Sequence, residues 1–271
     1  IDDQFAIVQS LLSTDQLELE AIYPAPFHNN RSKCAEDGME KSYEEILRLI
    51  NTMKIPNVRT IPRGSKQFLE MNQKAEDSEV AQDLIERAQA EESPLYVVAI
   101  GAATNIASAI LLKPEIIKNI VVIWLGGQPH HLQRAHEFNL QQDLYASRVL
   151  FDCGVPLLQI PCQGVASHLI TTTSELDSYL SKKGEIGDYL IDIFKNYANN
   201  PFGWSKVIWD ISAPAWLINP DWVSSSYVHS PILTDQLKYV IDPNRHTIRV
   251  ANKVDRDAIF ADLFRKIENH S

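Results

Sequence analysis

Residues 95–105 read LYVVAIGAATN, and they carry the strongest indication of the fold class. An apolar, β-branched run ends at Gly101, and Thr104-Asn105 can cap a helix that continues to about Leu112. Strands that are apolar on both faces are typical of parallel sheets covered by helices. Such runs alternate with helical spacing along the chain, at roughly 25–35 residues per unit. The sequence therefore predicts an α/β fold with a mostly parallel central sheet flanked by helices.

The other elements follow from the same two spacings. Apolar runs bounded by turn residues predict strands at 17–23, 57–61, 95–100, 116–125 and 157–161. Helical spacing predicts helices at 2–12, 40–52, 78–90, 104–112, 144–153 and 255–268, and a largely helical segment over 176–222. A hairpin is expected over 237–250, around Asp242-Pro243-Asn244. No repeat, low-complexity tract or linker interrupts the pattern, so we predict a single domain over residues 1–271.

Composition excludes several classes of protein. The 271 residues carry 25 Lys+Arg against 35 Asp+Glu, and this net charge of −10 argues against binding to a nucleic-acid backbone. Three cysteines are too few for a disulfide framework or a thiolate metal site. Lys118 interrupts the apolar run 116–125, so no membrane span is predicted. The cysteine usage favours a cytoplasmic location, and an export signal upstream of Ile1 would change that expectation.

Two acidic features stand where such a fold binds its ligands, which is at the carboxyl ends of the strands. Asp2-Asp3 at a helix start either stabilises the helix dipole, by about 0.3–1 kcal/mol, or presents two carboxylates to a hard cation such as Ca²⁺. Asp210 follows Trp209 in an apolar segment, and it either caps the next helix or is paired or metal-bound. The residues alone leave both alternatives open.

Polar groups after two middle strands are further candidates. The segment 100–105 is either only a well-formed strand-to-helix turn or part of a ligand site. Glu137 and Asn139 lie two apart in an extended loop, where both could contact a pair of sugar hydroxyls. A plain surface loop is the alternative for this pair. His130 and His131 are weaker candidates for the same pocket.

In this order, the fragments resemble the inosine-uridine-preferring nucleoside hydrolase family. The clearest are residues 1–7 (IDDQFAI), 104–107 (TNIA) and 137–143 (EFNLQQD), and the resemblance extends from Asp2 to about Pro220. It implies a Rossmann-like nucleoside hydrolase fold and hydrolysis of the N-glycosidic bond of ribonucleosides on a single bound Ca²⁺. Such an ion polarises water and grips the ribose hydroxyls. The resemblance also implies a homo-oligomer, either a dimer or a tetramer.

The resemblance assigns roles to particular residues. The implied metal ligands are Asp3, the backbone carbonyl of Ile100, and Asp210. The implied substrate contacts are Asp2 for a ribose hydroxyl, Glu137 and Asn139 for the 5′ side of the ribose with residues 130–133 nearby, and Trp209 for the base. An indole at Trp209 is similar to a purine-preferring branch of the family, in which it stacks on the base. The alternative is that Trp209 blocks the base pocket.

Three departures from the family pattern bear on function. The family's Asp-x-Asp-Pro-Gly element, which supplies the general base, is absent before Asp2. No catalytic residue is therefore assigned, and we expect the corresponding strand upstream of Ile1. Many members have His where this chain has Trp209. The family's ribose-binding Gly-Asn pair corresponds to Gly38-Met39, which predicts a changed sugar site.

These observations lead to one leading function and two alternatives. The first is a Ca²⁺-dependent hydrolase of ribonucleosides, leaning towards purines, or of a related riboside. The second is a relative that has lost catalysis and binds a sugar or nucleoside, and hydrolysis of a different glycoside is a third alternative. In each case the expected partner is a small molecule, and neither nucleic acid nor a membrane is expected.

Overall fold

A five-stranded sheet forms the centre of the fold, in a computed structural model that describes residues 1–55, 61–71, 74–90, 93–200 and 202–270. The strands are β1 (Leu95–Ala99), β2 (Ile120–Leu125), β3 (Leu157–Ile160), β4 (Ile170–Thr171), β5 (Lys206–Val207), β6 (Val223–His229), β7 (Ile232–Leu233), β8 (Tyr239–Val240) and β9 (Thr247–Val254). The main sheet has the order β1-β2-β3-β9-β6. Its first four strands are parallel, and β6 runs antiparallel to β9. Two short antiparallel pairs, β4-β5 and β7-β8, lie outside it.

Helices cover both faces of this sheet. They are α1 (Asp2–Leu11), α2 (Ala35–Met53), α3 (Glu79–Ala90), α4 (Thr104–Leu112), α5 (Phe138–Gln142), α6 (Leu144–Asp152), α7 (Thr173–Leu180), α8 (Gly184–Lys195), α9 (Ser212–Ile218) and α10 (Arg256–His270). No helix in the described ranges is both long and apolar enough to cross a bilayer.

The alternation of side chains along β2 explains why the strand is apolar throughout. Ile123 and Leu125 belong to one core cluster, which packs against α1, α7, α8 and α10. Val122 and Trp124 belong to a second cluster, which packs against α3, α4 and α6. Because successive side chains of a strand point to opposite faces, the two clusters lie on opposite sides of the sheet. The predicted α/β fold with a mostly parallel, helix-covered sheet is confirmed.

Three predicted elements are wrong. Residues 17–23 form no strand, because β1 is the edge of the sheet and no described strand pairs with this segment. The strand predicted at 116–125 begins only at Ile120, since Pro114 starts a turn of 3-10 helix that continues to Lys118. The hairpin predicted over 237–250 does not form. Instead β8 pairs with β7, and β9 joins the main sheet between β3 and β6. The predicted strand 57–61 lies almost wholly outside the described residues.

Candidate functional site

Three carboxylates come together at the N-terminus of α1. Asp2 and Asp3 are its first two residues, and Asp210 lies in the 3-10 turn Trp209–Ile211 that leads into α9. This turn packs against α1. One oxygen atom from each of the three carboxylates lies within 4.8 Å of the others. We call these three residues the acidic cluster. The fold thus brings together acids that are more than two hundred positions apart in the sequence.

Burial and mutual repulsion shape the charge of the acidic cluster. Asp210 is 5 % exposed, and burial raises the pKa of its carboxyl well above the ordinary value. The carboxylates of Asp3 and Asp2 raise this pKa further. The pKa of Asp3 is also raised, first by burial. Because its side chain is 59 % exposed, water still reaches this carboxylate and the effect is milder than at Asp210. A positive charge among these groups would relieve both effects.

Lys206 supplies one positive charge to the acidic cluster, and its hydrogen bond within the cluster goes to Asp2. Its Nζ donates to Asp2 Oδ1 over 3.1 Å and to the carbonyl of Val207 over 3.3 Å. In the ranges that the structure describes, no lysine, arginine or histidine forms an ion pair with Asp3 or Asp210. A crowded, oxygen-only pair of carboxylates without a lysine, arginine or histidine partner fits a hard cation such as Ca²⁺.

Asn139 ties together the carboxyl ends of β1 and β2. Its Nδ2 donates to the carbonyl of Ile100 over 3.2 Å and to the carbonyl of Leu125 over 3.0 Å. The amide hydrogens of Asn139 are therefore engaged within the protein. The carbonyl of Ile100 keeps one lone pair, since a carbonyl oxygen accepts two hydrogen bonds or ligands.

Glu137 forms the N-cap of α5 and is likewise engaged. Its Oε1 accepts from the backbone N–H of Asn139 over 2.9 Å. Its Oε2 accepts from the N–H of Gly127 over 2.8 Å and from that of Leu140 over 3.0 Å. Burial raises the pKa of this carboxyl, although these three donors act in the opposite direction. Glu137 therefore fastens the loop after β2 to α5, and this contact needs no ligand.

The loop after β2 is held by a buried network that sequence patterns do not indicate. Gln159 Nε2 donates to the carbonyl of Gly126 over 2.9 Å and to the hydroxyl of Tyr239 over 3.2 Å. The same hydroxyl accepts from the backbone N–H of Gln128 over 3.2 Å. Gly127 has φ +72°, and a Cβ there would lie 2.2 Å from the Tyr239 hydroxyl. Only glycine fits this position.

His130 and His131 do not accompany the acidic cluster. Together with Tyr239 and the β7-β8 hairpin they line a separate cavity of about 630 Å³, whose walls include none of the three acids. The His130 ring packs on Tyr239 with centroids 4.7 Å apart, and its Nε2 lies 2.7 Å from Gln159 Oε1. Because the Gln159 amide nitrogen faces a carbonyl, its Oε1 must accept, so Nε2 of His130 carries the hydrogen. Burial lowers the pKa of this ring.

Trp209 is half-buried beside Asp210, and it packs against the core cluster under α1. Other aromatic side chains lie nearby in the sequence. Trp204 stacks on Tyr197 with centroids 6.2 Å apart, and it contacts Phe194 at 4.8 Å. Lys206 Nζ lies 5.2 Å from the centre of the Tyr197 ring. This part of the chain therefore offers aromatic surface next to the acids.

The position predicted to change the sugar site is buried. Met39 has no exposed surface and lies inside α2. A Cβ at Gly38 would lie 1.9 Å from the carbonyl oxygen of Phe27, so glycine here permits a close approach of two backbone segments. In this structure Gly38-Met39 acts in packing.

The sequence patterns missed Lys206, Gln159 and Tyr239. A lysine in a short polar segment and a glutamine within an apolar strand carry no motif. The one available signal was Gln159 itself, because a lone amide in a buried strand must find partners.

Comparison with known proteins agrees with this geometry. Residues 1–261 match the sequence model of the family described as "Inosine-uridine preferring nucleoside hydrolase". The chain is 31 % identical over 121 residues to "Probable uridine nucleosidase 2" of Arabidopsis thaliana, covering 42 % of this chain and 37 % of that one. It is 26 % identical over 175 residues to the pyrimidine-specific ribonucleoside hydrolase RihB of Escherichia coli, covering 60 % and 54 %. These alignments span about a third to a half of the relatives' lengths.

A solved structure with the same fold is the purine-preferring ribonucleoside hydrolase from Gardnerella vaginalis. It superimposes with a TM-score of 0.75 over 99 % of this chain and 95 % of its own, at 21 % sequence identity. This likeness concerns the fold alone, and it extends over nearly the whole of both chains.

Proposed function

Because the chain belongs to the inosine-uridine preferring nucleoside hydrolase family, we propose that it hydrolyses the N-glycosidic bond of ribonucleosides with one bound Ca²⁺. The observation that carries this proposal is the meeting of three carboxylates within 4.8 Å. Carboxylates this close repel one another unless a cation lies among them. Coordination by oxygen atoms alone is what Ca²⁺ prefers.

The residues divide into those that would hold the ion and those that would hold the substrate. Asp3, Asp210 and the carbonyl of Ile100 are the proposed ligands. When bound, Ca²⁺ supplies the charge that activates water and anchors the ribose hydroxyls. Asp2 accepts a hydrogen bond from a ribose hydroxyl. The general base is not assigned to a residue of this chain.

Glu137 and Asn139 are proposed to support the 5′ side of the ribose. Their hydrogen bonds to the backbone leave carboxylate and amide oxygen lone pairs for a hydroxyl. The same bonds hold both side chains in place, so they meet the substrate without losing further conformational freedom.

Trp209 supports a preference for purines. A half-exposed indole beside Asp210 offers a face on which a base can stack, worth about 1–3 kcal/mol. The larger purine ring covers more of such a face. Two relatives found by sequence are named for uridine and for pyrimidines, so the rates with purine and pyrimidine nucleosides are compared directly.

An activity screen with and without a chelator tests the proposal. Release of reducing sugar from inosine, adenosine, uridine and cytidine is measured on the chain. We expect purine nucleosides to react fastest and the chelator to abolish release. Asp210→Asn should weaken Ca²⁺ binding by about a hundredfold or more, whereas Asp257→Asn, an exposed acid of α10, serves as the matched control. Release that persists undiminished in chelator would refute the metal-dependent mechanism.

A second candidate is a binding protein without catalysis. Its support is the engagement of Asp2 by Lys206 and of Glu137 and Asn139 by the backbone, which leaves fewer free groups in the site. Calorimetry with inosine separates the two: heat of binding without sugar release favours the binding protein. Release from aryl glycosides but not from nucleosides favours a different glycoside as substrate.

The remaining expectations concern assembly and location. We propose a homo-oligomer, a dimer or a tetramer as the family resemblance implies, and light scattering of the purified chain measures it. The cytoplasmic location stays a prediction.

A further inference from the structure

Lys206 is held in a fixed position beside the acidic cluster. Its backbone belongs to β5, where it pairs with Thr171 of β4, and the N–H of Ile208 donates to the carbonyl of Leu169 over 2.8 Å. Its side chain is 13 % exposed, and that of Asp2 is 18 % exposed. A lysine anchored on both sides and largely buried loses little further entropy in pairing, unlike a lysine on an open surface.

The ammonium of Lys206 balances only part of the negative charge of the acidic cluster. The side chains of the cluster and Lys206 carry three formal negative charges and one positive charge, and this excess of two is what one divalent cation neutralises. The ammonium donates a hydrogen bond to Asp2, and no described lysine, arginine or histidine side chain forms an ion pair with Asp3 or Asp210. Lysine donates hydrogen bonds but accepts none, so its contact engages Oδ1 of Asp2 and fixes the position of this carboxylate.

We infer that Lys206 is a positioning residue, a built-in counter-ion that keeps Asp2 for the substrate and leaves Asp3 and Asp210 for the metal ion. This rests on the proposed function for its metal and substrate. Lys206 acts through Asp2 and touches neither the ion nor the scissile bond. The pair therefore lowers repulsion in the ion-free cleft while it limits the attraction that the cleft has for a cation.

Substitution of Lys206 by methionine keeps the length of the side chain and removes its charge. It should lower thermal stability and raise the affinity for Ca²⁺. In chelator, Lys206→Met should unfold at a lower temperature, because three carboxylates then repel without compensation. In calorimetric titration with CaCl₂, the same variant should bind Ca²⁺ roughly tenfold more tightly, because a positive charge close to the ion is gone. A defect of packing alone would not tighten Ca²⁺ binding.

The substrate readout separates positioning from catalysis. We expect Lys206→Met to raise KM for the preferred nucleoside with a smaller change in kcat, since Asp2 is no longer oriented. Lys206→Arg, which keeps the charge, should restore both values towards those of the wild type. Lys266→Met is the matched control, because the Lys266–Asp262 pair is equally buried, at 12 % and 15 % exposed, but belongs to α10. It should lower stability with and without Ca²⁺ and leave Ca²⁺ affinity unchanged.

Different results would overturn the counter-ion role of Lys206 and the proposed metal site. Ca²⁺ affinity of Lys206→Met within about twofold of the wild type would overturn the counter-ion role. If neither protein binds Ca²⁺, the proposed metal site fails, and a double-mutant cycle then decides about the pair. Lys206→Met should destabilise the wild type in chelator more than it destabilises Asp2→Asn. Equal losses in the two backgrounds would overturn the inference.

Discussion

At the scale of single residues, the buried carboxylate of Asp210 indicates that a binding partner must lie nearby. Burial disfavours its charged form, so it needs a cation or hydrogen-bond donors. The apolar neighbours Ile208 and Ile211, both fully buried, make that need visible in the sequence. They do not identify the partner. The structure supplies Asp3 from another element, and no lysine, arginine or histidine among the described residues forms an ion pair with Asp210. The buried acid is therefore a specific candidate for a metal ligand.

His130 leads to a prediction about pH. Burial lowers its pKa, so the folded chain binds a proton at this ring less readily than the unfolded chain. The stability that depends on a neutral ring is therefore present above the ordinary pKa of about 6.5 and is lost as the pH falls through the lowered value. We expect the wild type to lose more stability than His130→Gln on going from about pH 7.5 to about pH 5.

Urea denaturation over this pH range measures the difference between the two proteins. His131→Gln is the control, because His131 is exposed on the same loop, and it should follow the wild type. Parallel curves for the wild type and His130→Gln would show that the contact with Gln159 does not depend on a neutral ring.

At the level of elements, the turn after β2 is tightly constrained by its contacts. Gly127 and Gly154 both have positive φ, at +72° and +80°, but a Cβ at Gly154 would meet nothing within 4 Å. Gly154→Ala should therefore cost about 1–3 kcal/mol of unfolding free energy through backbone strain alone. Gly127→Ala should cost about 1–3 kcal/mol more, because its Cβ collides with the Tyr239 hydroxyl.

Chemical denaturation of both alanine variants tests this comparison. Equal losses of stability would mean that Tyr239 moves aside without cost. The network of Gln159, Tyr239 and Gln128 would then not hold the loop that leads to Glu137.

The hairpin predicted over 237–250 fails to form because its strands pair with other elements. The turn at Asp242 exists, since Asp242 Oδ1 accepts from the N–H of Asn244 over 2.9 Å, but the strands on its two sides pair elsewhere. Buried residues of β9, such as Ile248 and Ala251, belong to opposite core clusters. A strand that buries both faces is more stable within the main sheet than in a two-stranded hairpin.

For the whole molecule, cation binding should be visible as stability. The acidic cluster joins α1 to the turn before α9, and both pack in the same core cluster, so an ion there links two distant parts of the chain. Ca²⁺ at about a hundred times its Kd should stabilise the folded state by about 2.7 kcal/mol. Thermal unfolding at increasing Ca²⁺ concentration measures this.

The double variant Asp3→Asn/Asp210→Asn provides the comparison. It should show no dependence on Ca²⁺, and it should unfold at a higher temperature than the wild type in chelator, because two crowded charges are gone. A melting temperature of the wild type that does not respond to Ca²⁺ would contradict a structural link through the ion.

Local patterns along the chain were enough for the fold class and for most elements. Helical spacing located α1, α3, α4, α6 and α10, and apolar runs located β1 and β3. These signals are local because the burial of one face or of both faces repeats within a few residues. Residues 1–3 and 209–210 were also identified from local features, since two acids at a helix start and one acid among apolar residues are unusual in themselves.

Contacts between distant segments had to come from the folded chain. The pairing of Lys206 with Asp2, the engagement of Asn139 by two strand ends, and the separation of His130 from the acids each join parts of the chain that no spacing relates. Strand pairing is likewise decided by the folded chain. Each apolar strand could pair with several others, and burial of the whole sheet selects among these pairings.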